Sequence, residues 1–149
     1  MKVKDVMETD LVSVLPETRY EEVAKIIYSH NISGVPVVDM DGGLLGFISE
    51  KDIFRVLYPW YKSYYEHPEY YTDMEGRESK VLDVKEMKAE MLMVKNPIAT
   101  SPNEPIMKVG ALMMAHRISR MPVVENGRVI GMVSRKIIYR AILKKNFGL

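Results

Sequence analysis

The sequence predicts an α+β protein, α/β-like in its alternation, made of two β-α-β-β-α units packed sheet to sheet about an approximate two-fold axis. Three observations point there. The chain is internally duplicated, each copy alternates short apolar strands with amphipathic helices, and the strands are apolar on both faces. The duplication is read by sliding the chain along itself. At a shift of 86 positions, Met7 meets Met93, Pro16 meets Pro102, His30 meets His116, and Ile32-Ser33 meets Ile118-Ser119. Pro36-Val37-Val38 falls on Pro122-Val123-Val124. The shift then drops to 85, and Gly46, Ser49, Lys51, Ile53 and Arg55 meet Gly131, Ser134, Lys136, Ile138 and Arg140. The lost residue falls between the strands, where Met40-Asp41-Gly42-Gly43 is replaced by the tighter Asn126-Gly127, a hairpin signal.

Each copy is read in chain order. A short strand, around 11–14 and again at 98–100, leads to a proline-marked turn. Thr18-x-x-Glu21 has the form of a capping box, hydroxyl and carboxylate satisfying free donors at a helix start. Tyr20, Val23, Ala24 and Ile27 share a face of the helix that follows. In the second copy Pro105 suits a first helical turn, where a missing N–H costs nothing. Ile106, Val109, Gly110 and Met113 take the equivalent face. A hairpin follows in each copy, 35–38 with 44–49 and 121–125 with 128–134, and then a closing helix near 50–57 and 135–144. A unit of this size buries too little apolar surface alone, so the two must share their interior. Strands such as Val35, Val37, Val38 and Leu44, Leu45, Phe47, Ile48 suit a sheet covered by helices on one side and by the sister sheet on the other.

The predicted division is residues 1–57 for the first repeat, 58–88 for an insert and 89–149 for the second repeat, together one module. The insert holds six of the nine tyrosines, Tyr58, Tyr61, Tyr64, Tyr65, Tyr70 and Tyr71, together with Trp60. A short helix from Tyr61 ended by Pro68, and a second, solvated helix over 75–90, are expected within and just beyond it. Its acids outnumber its bases, which opposes a nucleic-acid stacking surface and favours packing on the core or on a partner protein.

Composition narrows the function classes. The 149 residues are 47% hydrophobic and 28% charged, enough for a folded interior. A net charge of +1 gives no basic excess for nucleic acid or an anionic membrane. With no cysteine there are no disulfides or thiolate metal sites, and a reducing cytoplasm is the expected location. No apolar run reaches membrane-spanning length, and the first residues lack the apolar core of a signal peptide. His30 and His116 stand at equivalent helix ends without metal-ligand spacing, and the twelve methionines read as adaptable core filler. No phosphate-binding glycine loop, nucleophile elbow or zinc motif is present, so the chain is expected not to be an enzyme and to need no cofactor.

One passage carries chemistry in both copies: Gly46-Phe47-Ile48-Ser49-Glu50-Lys51-Asp52 and Gly131-Met132-Val133-Ser134-Arg135-Lys136-Ile137. In each, an apolar strand runs into a serine at a helix start. Only the first has a carboxylate three residues on. Ser49-x-x-Asp52 is by itself an ordinary helix cap.

The duplicated pattern resembles the CBS (cystathionine-β-synthase) domain, a tandem pair of which forms a Bateman module. The resemblance rests on Val3-Lys4-Asp5-Val6-Met7, His30-Asn31-Ile32-Ser33-Gly34-Val35-Pro36-Val37-Val38-Asp39 and Gly46–Asp52. In the second copy it rests on Asn96-Pro97-Ile98, on 118–124 and on 131–134. It implies a regulatory module of a small stand-alone type that binds an adenosine-containing ligand between repeats and pairs into a homodimer. By resemblance, Ser49 and Asp52 hold the ligand's ribose, while Arg120 and Lys136 face its phosphates from the other repeat. Phe47, Ile98 and Pro122 complete that site. A weaker second site comprises Val12, Gly34, Pro36, Met132 and Ser134, with Ile137 in place of the ribose carboxylate and Gly34 in place of the arginine. A carboxylate suits the paired donors of a cis-diol. The two cations favour AMP, ADP or ATP over the cationic S-adenosylmethionine, which is the alternative ligand. A ligand-free protein–protein interaction module is the alternative of another class.

Overall fold

The computed structural model describes residues 1–58, 65–72 and 74–149. The first repeat contains α1 (Tyr20–Ser29), β1 (Gly34–Val38), β2 (Leu44–Ser49) and α2 (Glu50–Arg55). Three short elements follow, α3 (Lys80–Val84), α4 (Ala89–Leu92) and β3 (Val94–Lys95). The second repeat contains α5 (Ile106–His116), β4 (Arg120–Glu125), β5 (Arg128–Ser134) and α6 (Arg135–Phe147).

The hairpins match the predicted ones and match each other. β1 pairs antiparallel with β2, Gly34 opposite Ser49 and Pro36 opposite Phe47. β4 pairs with β5, Arg120 opposite Ser134 and Pro122 opposite Met132. The register slips between Val37 and Val38 in one and between Val123 and Val124 in the other, positions that correspond in the repeat. The turns differ as their lengths require. Asn126 and Gly127 both take positive φ, as a two-residue primed turn demands. The longer turn is organised by Asp39, whose Oδ1 accepts from the N–H groups of Asp41 and Gly43 at 2.9 and 2.8 Å.

Several local expectations are corrected. Residues 11–14 and 98–100 form no extended strand. Each is reduced to a single parallel bridge, Val14 to Val37 and Thr100 to Val123. Thr18 and Glu21 make no capping box. The Thr18 hydroxyl instead accepts the N–H of Leu15 at 3.0 Å, and α1 starts after Arg19. The free donors of α1 go to backbone carbonyls, Tyr20 N–H to Met87 at 2.7 Å and Glu21 N–H to Lys85 at 3.0 Å. That arrangement also interrupts the helix expected over 75–90. The chain makes a 3-10 turn at Gly76–Ser79 and then α3, opens at 85–88 to present those carbonyls, and resumes as α4. Pro105 is the residue before α5, not its first turn. Pro68 begins a 3-10 turn, Pro68–Tyr71, and the helix expected from Tyr61 falls largely outside the described residues.

A feature absent from the sequence reading is the exchange of leader segments. Met1–Glu8 lies on the second repeat: Val3 N–H donates to Glu104, Lys4 N–H to Pro102, and Ile106 N–H to Met1. Glu8 and Met132 exchange backbone hydrogen bonds at the edge of β5. Residues 85–95 do the same for the first repeat, Ala89 N–H to Thr18, Glu90 N–H to Pro16, and β3 against β2. The two cores reflect it. One gathers Val14, Tyr20, Val23, Ile27, Val35, Val37 and Ile48 with Ala89 and Leu92. The other gathers Ile106, Val109, Met113, Met121, Val123, Val133 and Ile138 with Val3. Val3 and Ala89 are themselves repeat mates, and both are fully buried.

The halves meet on the opposite faces of their hairpins. β1 is buried along its whole length, on both faces. Gly42 accepts the N–H of Val129 at 3.0 Å, and Ser33 Oγ shares a 3.2 Å hydrogen bond with Ser119 Oγ.

Candidate functional site

Alternation along a strand sorts the candidate residues without further argument. Val35, Val37 and Ile48 point into the first core, so Gly34, Pro36, Phe47 and Ser49 share the opposite face. Met121, Val123 and Val133 point into the second core, leaving Arg120, Pro122, Met132 and Ser134 on its opposite face. Eight of the predicted site residues thus lie on the two faces through which the halves approach each other. Gly34 has to be glycine here, since a Cβ would stand 2.6 Å from the Phe47 ring and 2.7 Å from the Ile48 carbonyl oxygen.

Ser49 and Asp52 form the capping box of α2. Asp52 Oδ2 accepts from Ser49 N–H at 2.8 Å and from Ser49 Oγ at 3.0 Å, while Ser49 Oγ accepts from Asp52 N–H at 3.3 Å. Arg55 donates to Oδ1. Asp52 is only 4% exposed, the one buried charged residue among the described residues, and its bonds there are local. The second copy keeps half of this cap. Ser134 Oγ accepts from Ile137 N–H at 3.1 Å, and Ile137 has nothing to return.

The starts of α2 and α6 are tied to the junction of the halves. Glu50 N–H donates to the Ser33 carbonyl at 2.9 Å, and Arg135 N–H donates to the Ser119 carbonyl at 3.0 Å. With their hydroxyls joined, these serines hold both helix starts beside one axis. The positive end of each helix therefore faces that junction. A cleft of about 730 Å³ opens at this place, lined by Ser33 and Asn31 from the first repeat and by Ser119, Arg120, Ser134 and Lys136 from the second. Tyr139, Ile138 and Ile142 of α6 give it an apolar wall.

Arg120 and Lys136, expected together, do line one cleft. Ser134, expected in the other, lines it with them, because the register sets Arg120 opposite Ser134 and α6 begins just after. Ser49 and Asp52 are not part of its lining. They stand beyond Ser33, with Ser49 paired to Gly34. Lys136 is exposed, whereas the Arg120 side chain is 11% exposed and donates through Nη2 to Glu8 Oε2 at 3.4 Å. Val12 packs partly buried against the first core and Ile98 against the second, so each serves its own repeat. Ser33, Ser119 and Glu8 are site-forming residues that the sequence reading missed. The serines were visible as repeat mates. Glu8 left no signal, because its partner lies 112 residues away. Among the described residues, no three His, Cys, Asp or Glu side chains gather as a metal site would require.

Two duplicated α+β halves with exchanged leaders and a cleft beside their junction define a tandem-repeat module. The chain belongs to the CBS domain family, which it matches over residues 3–59 and 84–144. It is 26% identical over 132 residues to the CBS domain-containing protein YhcV of Bacillus subtilis, covering 89% of this chain and 79% of that one. It is 28% identical over 141 residues to a homoserine O-acetyltransferase of Methanohalobium evestigatum, where it spans 94% of its own length and 24% of the relative's. Among solved structures, it resembles the CBS domain pair of protein MJ0100 in complex with 5′-methylthioadenosine and S-adenosyl-L-methionine. That match has a TM-score of 0.73 and 28% identity, and it covers 98% of both chains. The fold also matches the CBS-pair protein CBSX2 of Arabidopsis thaliana with a TM-score of 0.77 and 24% identity, over 98% of this chain and 96% of that one.

Proposed function

We propose that this module is a non-enzymatic sensor of an adenosine-containing ligand, with AMP, ADP or ATP as the favoured class. The observation that carries the reading is the Ser33–Ser119 hydrogen bond. It brings the α2 start, bearing Ser49 and Asp52, next to the strand that bears Arg120. A ribose between Ser49 and Asp52 exchanges one of the carboxylate's local bonds for a diol hydrogen bond. Its phosphates then lie toward Ser119, Arg120 and Lys136. Pro36, Phe47 and Pro122 supply apolar surface for the base. Val12 and Ile98, although core-packed, border the same strands through the bridges that follow them. Gly34 and Met132 belong to the mirror position, where Ile137 offers no carboxylate and occupancy is weaker, whereas Ser134 lines the cleft of Arg120 and Lys136.

Binding here alters how the two halves meet, because the ligand touches both. It shifts that equilibrium only by its difference in affinity between the two arrangements. Where the module forms 24% of a relative, this reading makes it the regulatory portion and leaves the catalysis elsewhere. The solved relative with 5′-methylthioadenosine and S-adenosyl-L-methionine favours S-adenosylmethionine as the second ligand reading. We place the protein in the cytoplasm, which the absence of cysteine supports, and among the described residues no helix is long and apolar enough to cross a membrane.

A homodimer is part of the proposal. Tyr28 and Met114 are repeat mates, as are Phe54 and Tyr139, and all four are largely exposed. Such a symmetric apolar surface suits an isologous contact with a second copy. The test of ligand class is a thermal-shift panel of AMP, ADP, ATP and S-adenosylmethionine on the purified protein, since a native-state ligand must raise the melting temperature. Asp52→Ala should remove most of the shift. A full shift in that variant sinks the ribose assignment.

A further inference from the structure

We infer that Glu8 is an internal counter-anion to Arg120 and sets how strongly the site prefers phosphate-bearing ligands. The inference rests on the proposed phosphate side of the site and adds a residue to it. Arg120 is poorly solvated. Its side chain is 11% exposed, and its Nε is buried with no hydrogen-bond partner among the described residues. A guanidinium in that position needs an anion, because the cost of taking it from water is otherwise unmet. Among the described residues the one it has is Glu8, at 3.4 Å through a single nitrogen. That distance is long for a charge-assisted bond and uses one of five donors.

Glu8 is positioned to yield. Its backbone is fixed by the paired bonds with Met132, 2.8 and 2.9 Å, while its side chain is 49% exposed. The carboxylate can therefore turn into water without disturbing the edge of β5. A phosphate entering the cleft offers Arg120 two parallel bonds in place of one long one. It must displace Glu8 to do so. A ligand without a phosphate leaves the Glu8–Arg120 pair intact and meets no competition. Because Glu8 comes from the exchanged leader, a phosphate ligand also removes the side-chain tie between that leader and Arg120 of β4, which a neutral ligand does not.

The experiment is calorimetric titration of the wild type, Glu8→Gln, Arg120→Gln and the double variant with adenosine, ATP and inorganic tripolyphosphate. The expected result is that Glu8→Gln binds ATP and tripolyphosphate about fivefold more tightly, the worth of a part-exposed ion pair, with adenosine unchanged. The gain should vanish in the Arg120→Gln background. Equal tightening for adenosine, or a gain that survives without Arg120, overturns the inference. If adenosine fails to bind while tripolyphosphate still prefers Glu8→Gln, the ribose reading falls and the Glu8 inference stands. If neither ATP nor tripolyphosphate distinguishes Glu8→Gln from wild type, the inference falls whatever adenosine does.

Discussion

Ser33 Oγ and Ser119 Oγ lie 3.2 Å apart, and the two residues are 86 positions apart in the chain, the repeat shift itself. A residue hydrogen-bonded to its own repeat mate must sit on the axis relating the copies, so this bond marks the pseudo-two-fold directly. Ser33→Ala and Ser119→Ala should each cost about 1 kcal/mol, the usual net worth of a part-buried hydrogen bond. The double variant should cost less than their sum, because the second change removes a group already without its partner. Urea denaturation of the four proteins measures the coupling, and strict additivity would mean the bond does not form in solution.

Gly46 and Gly131 admit the exchanged leaders. A Cβ on Gly46 would stand 2.4 Å from Met93 Sδ and 2.9 Å from the Val94 carbonyl oxygen. On Gly131 it would stand 2.7 Å from the Glu8 carbonyl oxygen. Gly→Ala at either place should destabilise by about 1–3 kcal/mol through overpacking. Gly127→Ala has no such neighbour but carries a φ of +78°, so its cost should be smaller and confined to turn strain. Thermal unfolding ranks the three. Equal losses at 46, 131 and 127 would contradict the leader exchange.

Asp52 is bound to its own helix start before any ligand arrives. Asp52→Ala should therefore lower stability as well as binding, by about 1–2 kcal/mol from the lost cap. Asp52→Asn retains an acceptor and should recover part of the stability but not the ligand response. Chemical denaturation beside thermal shift separates the two effects. A variant that loses binding with no loss of stability would argue against the capping geometry.

Tyr20 gives a pH dependence. Its ring is buried in the first core and its hydroxyl donates to the Ile53 carbonyl at 2.9 Å. Burial raises its pKa above the ordinary tyrosine value. A raised phenol pKa contributes stability that is fully present below the unfolded value, near pH 10, and that is lost as pH climbs through the folded one. Alkaline unfolding should begin above about pH 10, and Tyr20→Phe should remove that component while costing about 1 kcal/mol at neutral pH. An unchanged alkaline limb in Tyr20→Phe would show that another group is responsible.

The proposed homodimer rests on side chains that can be tested without any ligand. Phe54→Glu with Tyr139→Glu should yield a monomer by light scattering if the wild type is a dimer through that surface. An unchanged mass would place the contact elsewhere.

The hairpins, the main helices and the face on which each site residue lies were readable because they follow from period-two alternation and from the repeat. Gly34, Ser49, Arg120 and Ser134 needed only the register. The leader exchange was not readable, because both arrangements bury the same Val3 and Ala89 and leave the same hydrophobic pattern. Thr18 and Glu21 misled for a related reason. Their spacing fits a cap, but the backbone carbonyls of Lys85 and Met87 reach the same donors from a segment far along the chain. Ser134 was expected in a different cleft from Arg120 and Lys136, yet the β4–β5 register sets it opposite Arg120 and α6 begins just after, so all three line one cleft.

The crossed leaders make each half a partner that lends its neighbour a structural plug. Separated at the chain between Leu57 and Lys80, the piece carrying α1 would lack Ala89 and Leu92, and the piece carrying α5 would lack Val3. Neither fragment is a complete domain, yet each holds what the other is missing. Mixed together, the two pieces should reassemble without a covalent link, so that a proteolytic nick leaves the module clasped shut.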